Sequence, residues 1–246
     1  MGLPFALEED GARRATLGVI VLQSDETLEN ELRQLYADPG IALYHARIPS
    51  HPTVTKETLA EMARELPRTA ALLPKGVAFD AIGYACTSGA TVIGQKVVAA
   101  KVQSHHPGVA VTDPITAVMA GCKALGAWRL GFLTPYLPEV SQAMRRLLEE
   151  NGFQVTGFGS FEQQEEQVVS RISQASTLQA ILDIGRNSAC DAVFASCTNL
   201  RTLGLLAEAE QRLGKPVISS NQALAWHLLR LAGDHRNVGP GRLFEL

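Results

Sequence analysis

The 246-residue chain carries a net charge of −3 and no run of Lys or Arg, which excludes the basic stripe that a nucleic-acid backbone requires. Its 46% hydrophobic content suits a globular protein with a full core, and its apolar runs are far too short for a membrane helix. Four cysteines (Cys86, Cys122, Cys190, Cys197) form no CxxC pair, and the six histidines join no Cys/His cluster, so no metal site is expected.

Residues 1–16 are polar, with Glu8, Glu9 and Asp10, and lack the basic-then-apolar pattern of a signal peptide; they read as a loose leader. Without an export signal, a cytoplasmic location with reduced thiols is expected. Residues 16–22 (TLGVIVL) are a short β-branched run, a buried parallel strand. A helix over 25–36, with Leu28, Leu32 and Leu35 on one stripe, stops at Asp38-Pro39-Gly40. A strand over 41–48 and a long helix over 55–73 follow, with Pro67 expected to kink the helix. Then come a strand over 79–85, a helix over 88–102 and a short strand over 109–112. The alternation restarts with a strand over 128–134, a helix over 135–151 closed by Gly152, and a strand over 153–158. Helical material over 165–186, a strand over 191–196, a helix over 200–213, a strand over 216–219 and a helix over 221–231 complete it, before a tail from Gly239. Such alternation implies right-handed crossovers and parallel sheets, with ligands outside the carboxyl ends of the strands.

An internal repeat carries the functional argument. DAIGYACTS at 80–88 matches DAVFASCTN at 191–199, which sets Cys197 111 residues after Cys86. A second echo, Leu17-Gly18 against Leu130-Gly131, has an offset of 113. Two matches at similar offsets indicate a duplicated domain. Each cysteine ends an apolar strand and is expected to precede a helix, with Thr87 or Ser88, and Thr198 or Asn199, as N-caps. A thiol there meets free N–H groups and the positive end of a helix dipole, which favour thiolate, and the same N–H groups can hold a carboxylate.

Two opposed thiols suit racemisation, one thiolate taking an α-proton while the other thiol returns one on the opposite face. They also suit double-bond isomerisation through thiolate addition to an alkene carbon. Neither route needs a cofactor, and none is expected. No glycine-rich phosphate loop and no Gly-x-Ser-x-Gly elbow occurs. Cys122, in an Ala/Gly-rich helix, and Cys190, before a strand, read as structural.

The segments Ala85-Cys86-Thr87-Ser88 and Ser196-Cys197-Thr198-Asn199 resemble the two cysteine motifs of the aspartate/glutamate racemase superfamily. The continuation to Leu200-Arg201-Thr202 is similar to the branch holding maleate cis-trans isomerases, arylmalonate decarboxylases and the ectoine-utilisation protein A group. The resemblance implies an α/β fold of two pseudo-twofold-related flavodoxin-like domains, each a parallel sheet flanked by helices, with the active site in the cleft between them. It sets residues 1–113 as the first domain, joined by 219–246, and 114–218 as the second. It implies catalytic thiols at Cys86 and Cys197, and donors to a substrate carboxylate at Thr87, Ser88, Thr198, Asn199 and Leu200. Tyr136 matches a substrate-binding tyrosine of the maleate isomerases. Arylmalonate decarboxylases keep only the second cysteine, so Cys86 argues against simple decarboxylation.

The resemblance also shows two departures. Gln23 and Asp25 stand in the first substrate loop, with Asp25 where the maleate isomerases carry an asparagine. Glu166 aligns with a second such asparagine. On local pattern alone, Asp25 reads equally as a helix cap, and Glu166, in the Glu/Gln-rich run 162–167, as a solvated helix face. As site residues, the two carboxylates would repel a dicarboxylate and suit a substrate with a basic nitrogen. Three functions stand: a racemase or epimerase of an amino-acid-type carboxylate, a maleate-type isomerase, and a non-catalytic small-ligand binder. The superfamily further implies a homo-oligomer, dimer or tetramer, acting on small molecules without nucleic acid or membrane.

Overall fold

Two four-stranded parallel sheets with the same strand order organise the chain. The computed structural model describes residues 1–7 and 13–246; Glu8, Glu9 and Asp10 of the expected leader lie outside the described residues. The first sheet has the order β2-β1-β3-β4, from Ala15–Leu22 (β1), Ile41–Ile48 (β2), Ala81–Ala85 (β3) and Ala110–Thr112 (β4). The second has the order β6-β5-β7-β8, from Arg129–Tyr136 (β5), Gln154–Gln163 (β6), Ala192–Ala195 (β7) and Val217–Ser219 (β8). This is a flavodoxin-like order in both halves.

The repeat seen in the sequence is also a repeat of register. Leu17 pairs with Ala81 in the first sheet, and Leu130 with Ala192 in the second. The aspartate that opens each repeat ties the foot of the neighbouring strand. Asp80 Oδ2 accepts the Thr16 N–H at 2.7 Å, and Asp191 Oδ2 accepts the Arg129 N–H at 2.9 Å. The central strands β1, β3, β5 and β7 are almost wholly buried, as continuous apolar runs in covered parallel sheets should be.

The ten helices given among the described residues depart from the expected spans where local chemistry intervenes. The first, Leu28–Leu35 (α1), starts three residues late because the Asp25 carboxylate accepts the Thr27 and Leu28 N–H groups. Lys56–Ala70 (α2) is capped by Thr55 and runs through Pro67 as one helix. The span 88–102 divides at Gly94 (φ 91°) into Thr87–Ile93 (α3) and Gln95–Gln103 (α4). Pro114–Ala124 (α5) is capped by Asp113, and Pro138–Glu150 (α6) follows β5. The material at 165–186 divides into the single turn Glu166–Val169 (α7) and Gln174–Gly185 (α8). The expected helix from 200 begins only with a 3₁₀ turn at Leu203–Leu205, followed by Leu206–Leu213 (α9).

The last helix, Ser220–Leu231 (α10), packs on the first half of the chain. Leu224 and Leu228 lie so close to β3 at Gly83 that a side chain there would meet them at 3.1 and 3.3 Å. Tyr36 Oη donates to the Ala225 carbonyl at 2.8 Å. The chain thus crosses back between halves, and the seam lies at the carboxyl ends of β3 and β7.

Candidate active site

Cys86 and Cys197 close the equivalent strands β3 and β7, and both are buried. Their surroundings differ. Cys86 is itself the N-cap of α3, so Thr87 and Ser88 are helical residues rather than caps. Its Sγ accepts the Gly89 N–H at 3.2 Å and lies 3.7 Å from Ser88 Oγ. Thr87 Oγ1 is engaged with Ser220 Oγ at 2.8 Å. Cys197 precedes no α-helix, which corrects the expectation of an N-cap at Thr198 or Asn199. It holds φ at 111°, the left-handed region that a β-carbon disfavours, a strain that a surrounding network must sustain. Its N–H donates to Ser220 Oγ at 3.0 Å, and its Sγ accepts the Asn199 N–H at 3.3 Å.

Around Cys197 a directed chain of hydrogen bonds is complete. Tyr136 Oη lies 3.0 Å from Cys197 Sγ and donates to Glu166 Oε1 at 2.9 Å. Asn199 Nδ2 donates to Glu166 Oε2 at 2.7 Å. Glu166 is therefore no solvated helix face: it is 4% exposed. It is carried there by a two-residue bridge. The Glu166 N–H donates to the Pro52 carbonyl at 2.9 Å, and the Val54 N–H to the Gln164 carbonyl at 2.8 Å. The local Glu/Gln-rich pattern hid this, because a cross-chain bridge rather than helix amphipathicity sets the burial.

Electrostatics follow from the burial. Desolvation pushes Glu166 up to about 7, against the lowering by Asn199 and Tyr136, with nearby Asp25 adding repulsion. Desolvation pushes Cys86 up to about 12, and the Gly89 N–H only partly offsets it. It raises Cys197 well above its usual range, with the Glu166 charge adding to the rise. Removal from water thus raises both thiols, outweighing the N–H donors at each sulfur and the dipole of α3 at Cys86. Both thiols feel Glu166, and the Tyr136 hydroxyl is raised by burial and then by Cys197, Glu166 and Cys86 together. One tyrosine and one carboxylate thus lie within electrostatic reach of both sulfurs.

The remaining expected residues divide. Asp25 is 3% exposed; its Oδ1 caps α1, while its Oδ2 lacks a hydrogen-bond partner of good geometry among the described residues. Burial raises its pKa, and the neighbouring Thr198 side chain favours the ionised form. Thr198 Oγ1 points back to the Ala85 carbonyl at 3.4 Å, across the seam. The Leu200 side chain is fully buried. Gln23 is exposed and lines an open pocket of about 400 Å³ together with Ser50, His51, Thr58 and Met62. These last four also line a cleft of about 10 Å³, room for about one water, that reaches Glu166.

Two residues escaped the sequence reading. Glu31 is buried and accepts the Thr202 and Leu203 N–H groups at 2.8 and 2.9 Å and Asn221 Nδ2 at 2.7 Å. Ser220 joins Thr87 to the Cys197 N–H. Glu31 sits on the expected apolar stripe of α1 and offers no motif; its role exists only across the seam. Cys122 is buried and raised to about 12 by burial alone, and Cys190 Sγ bridges the Gly131 N–H and the Ala192 carbonyl, so both are structural thiols.

The chain matches the family model described as arylmalonate decarboxylase over residues 17–244. The arylmalonate decarboxylase of Bordetella bronchiseptica is 33% identical over 141 residues, 56% of this chain and 59% of that protein. The maleate isomerase of Nocardia farcinica is 27% identical over 230 residues, 89% of this chain and 90% of that protein. A cysteine-to-serine variant of the Nocardia farcinica maleate cis-trans isomerase, with a covalently bound succinylcysteine intermediate, superposes with a TM-score of 0.85 at 26% identity. That match covers 94% of this chain and 98% of the other. A liganded arylmalonate decarboxylase variant, one glycine changed to cysteine and one cysteine to serine, gives a TM-score of 0.84 at 26% identity and covers 94% and 99%. This chain belongs to the arylmalonate decarboxylase family, in the branch of the Asp/Glu racemase-like superfamily that also holds the maleate isomerases.

Proposed function

We propose that this member of the arylmalonate decarboxylase family is a cofactor-independent isomerase, a racemase or epimerase of a small carboxylate that carries a basic nitrogen. The supporting observation is the pair of thiols at equivalent strand ends, both within reach of Tyr136 and Glu166. In this reading Cys86 and Cys197 stand on opposite faces of one substrate carbon. One sulfur takes the α-proton and the other returns a proton on the far face. The N–H groups of Gly89 and Asn199, which already point at the sulfurs, stabilise each thiolate as it forms.

Charge directs the choice of substrate. Asp25 and Glu166 are two buried carboxylates in one site, and Asp25 Oδ2 has a free acceptor position. A second substrate carboxylate would be repelled there, whereas an ammonium group would be held. An amino-acid-type compound such as a diaminobutyrate derivative satisfies this, which is consistent with an ectoine-utilisation-like role. A cytoplasmic homo-oligomer, dimer or tetramer, belongs to the same reading.

The second reading is a maleate cis-trans isomerase. The Nocardia farcinica relative, matched over 89% of this chain, and the succinylcysteine intermediate of its variant favour it. Incubation in deuterium oxide with diaminobutyrate derivatives, aspartate, glutamate and maleate separates the two. A racemase incorporates deuterium at the α-carbon of an amino acid. Conversion of maleate to fumarate without amino-acid exchange would overturn the first reading. A chain that binds one of these compounds, shifting its melting temperature, but transforms none would be a binder only.

A further inference from the structure

We propose that Glu166 is the proton acceptor for Cys197, with Tyr136 as the bridge between them. It rests on the two-cysteine reading only in taking Cys197 as a working thiol.

The directions of the hydrogen bonds carry the inference. Tyr136 Oη already donates to Glu166 Oε1, so its lone pair faces Cys197, and the S–H of Cys197 must donate to it. The order is thus S–H to O–H to carboxylate. Transfer breaks the S–H bond and forms a new O–H on Tyr136. The original tyrosine proton passes to Glu166 Oε1. Sulfur keeps the electron pair as thiolate, and the carboxylate becomes a neutral acid. The net charge of the site is unchanged, so no ion enters or leaves the buried space. After transfer every bond is reversed but retained: Glu166 donates to Tyr136, Tyr136 donates to the thiolate, and the Asn199 N–H remains on the sulfur. Asn199 Nδ2, on the other carboxylate oxygen, holds Glu166 in line. Direct ionisation of Cys197 would instead place a second negative charge beside an ionised Glu166 in a dry site, which is unfavourable. Glu166 is buried and titrates near neutrality, the range in which an acceptor both takes and returns a proton. It is a positioning residue for the charge on Cys197, since it acts through Tyr136.

Alkylation of Cys197 by iodoacetamide, followed by peptide mass spectrometry from pH 5.5 to 9, tests this without any substrate. The thiolate is the reactive form. In the wild type the rate should rise with a midpoint near 7, as Glu166 becomes able to accept, and then level off, because the transferred-proton form no longer depends on pH. In Glu166→Gln the plateau should vanish, and the rate should climb about tenfold per pH unit throughout. In Tyr136→Phe the midpoint should move upward, since the hydroxyl that favours ionised Glu166 is gone, and the plateau should fall about tenfold or more, the loss of one charge-assisted hydrogen bond to the thiolate. A plateau that survives in Glu166→Gln, an unchanged height in Tyr136→Phe, or a wild type that climbs without levelling or never reacts at Cys197 would each overturn the inference. Either variant decides by itself if the other fails to fold. Failure here leaves the deuterium-exchange result standing, and failure there leaves this profile standing.

Discussion

The two halves share a strand order, a register and a cysteine motif, yet they support their thiols by different means. Cys86 has relaxed backbone (φ −146°) and caps a helix, so a main-chain N–H meets its sulfur, with the Ser88 and Tyr84 hydroxyls beside it. Cys197 has strained backbone (φ 111°), and side chains surround it: Tyr136, and through it Glu166, with Ser220 on its N–H. Both halves carry a sulfur at a strand end, but one thiol sits at a helix terminus and the other is linked through Tyr136 to a titrating carboxylate. The lesson is that pseudo-symmetry of position does not entail symmetry of protonation.

Replacement of each sulfur gives the largest expected effect. In the racemase reading, Cys86→Ser and Cys197→Ser should each lower racemisation by about 10³-fold, since each removes an acid–base group. The halves should separate in the partial reaction. Each variant should still exchange the α-hydrogen of one enantiomer and not of the other, with opposite preference. Chiral analysis after incubation in deuterium oxide measures this, and equal loss for both enantiomers in both variants would defeat the assignment of one face to each thiol.

The next effect concerns the seam that holds the halves in register. Glu31→Ala leaves the Thr202 and Leu203 N–H groups and Asn221 Nδ2 without their acceptor. Three buried donors left unmatched should cost roughly 4 kcal/mol, read as a fall in denaturant midpoint. Because Glu31 anchors the loop after Cys197 directly, through the Thr202 and Leu203 N–H groups, any surviving exchange should be lost first on the Cys197 face. A variant as stable as wild type would show that water replaces the carboxylate.

Glu166 sharpens the comparison through pH. Its folded value of about 7 exceeds the usual 4.5, so between these values the folded chain holds a proton that the unfolded chain has released. Stability therefore falls as pH rises from about 4.5 to about 7 and is level above, a loss of roughly 3 kcal/mol. Glu166→Gln removes that contribution and leaves the smaller ones of Asp25, Glu31 and Asp113, which burial also raises. The variant should match wild type near pH 4.5 and be more stable at pH 8, as measured by urea unfolding. A stability difference between wild type and variant that does not change over that window would contradict the buried, late-titrating carboxylate.

The fold was legible because its signals are local and repeated: buried strands, caps, and one register written twice. Cys86 and Cys197 were legible for the same reason, each standing in a repeated motif at a strand end, whereas Tyr136 came from the family resemblance. Glu31 and Ser220 were not, and Glu166 was reached only through the family resemblance, its local pattern reading as a solvated face. Glu166 is buried by a bridge between residues 52–54 and 164–166, and Glu31 and Ser220 bond across the seam. Nothing within ten residues of any of them signals those partners. The rise of both thiol pKa values was hidden for a related reason. The dipole and N–H donors lie in local sequence, whereas the desolvation that outweighs them is set by the closure of both halves.

The smallest expected effect tests the main-chain side of the comparison. Gly89 lies three residues after Cys86, and the equivalent position after Cys197 is Leu200. Leucine is accommodated there because the chain turns away from the sulfur before any helix starts. At Gly89 a β-carbon would stand 2.5 Å from Tyr84 Oη and 2.9 Å from Cys86 Sγ. Gly89→Ala should therefore shift both groups, at a cost of about 1–3 kcal/mol of overpacking, partly offset by the better helix propensity of alanine. The methyl group would also move the Gly89 N–H away from the Cys86 sulfur, so exchange on the Cys86 face should fall several-fold while the Cys197 face keeps its rate. Kinetics on the separate enantiomers measure that difference. If both faces slow together, the two thiols share one scaffold after all, and the division into a main-chain thiol and a side-chain thiol fails.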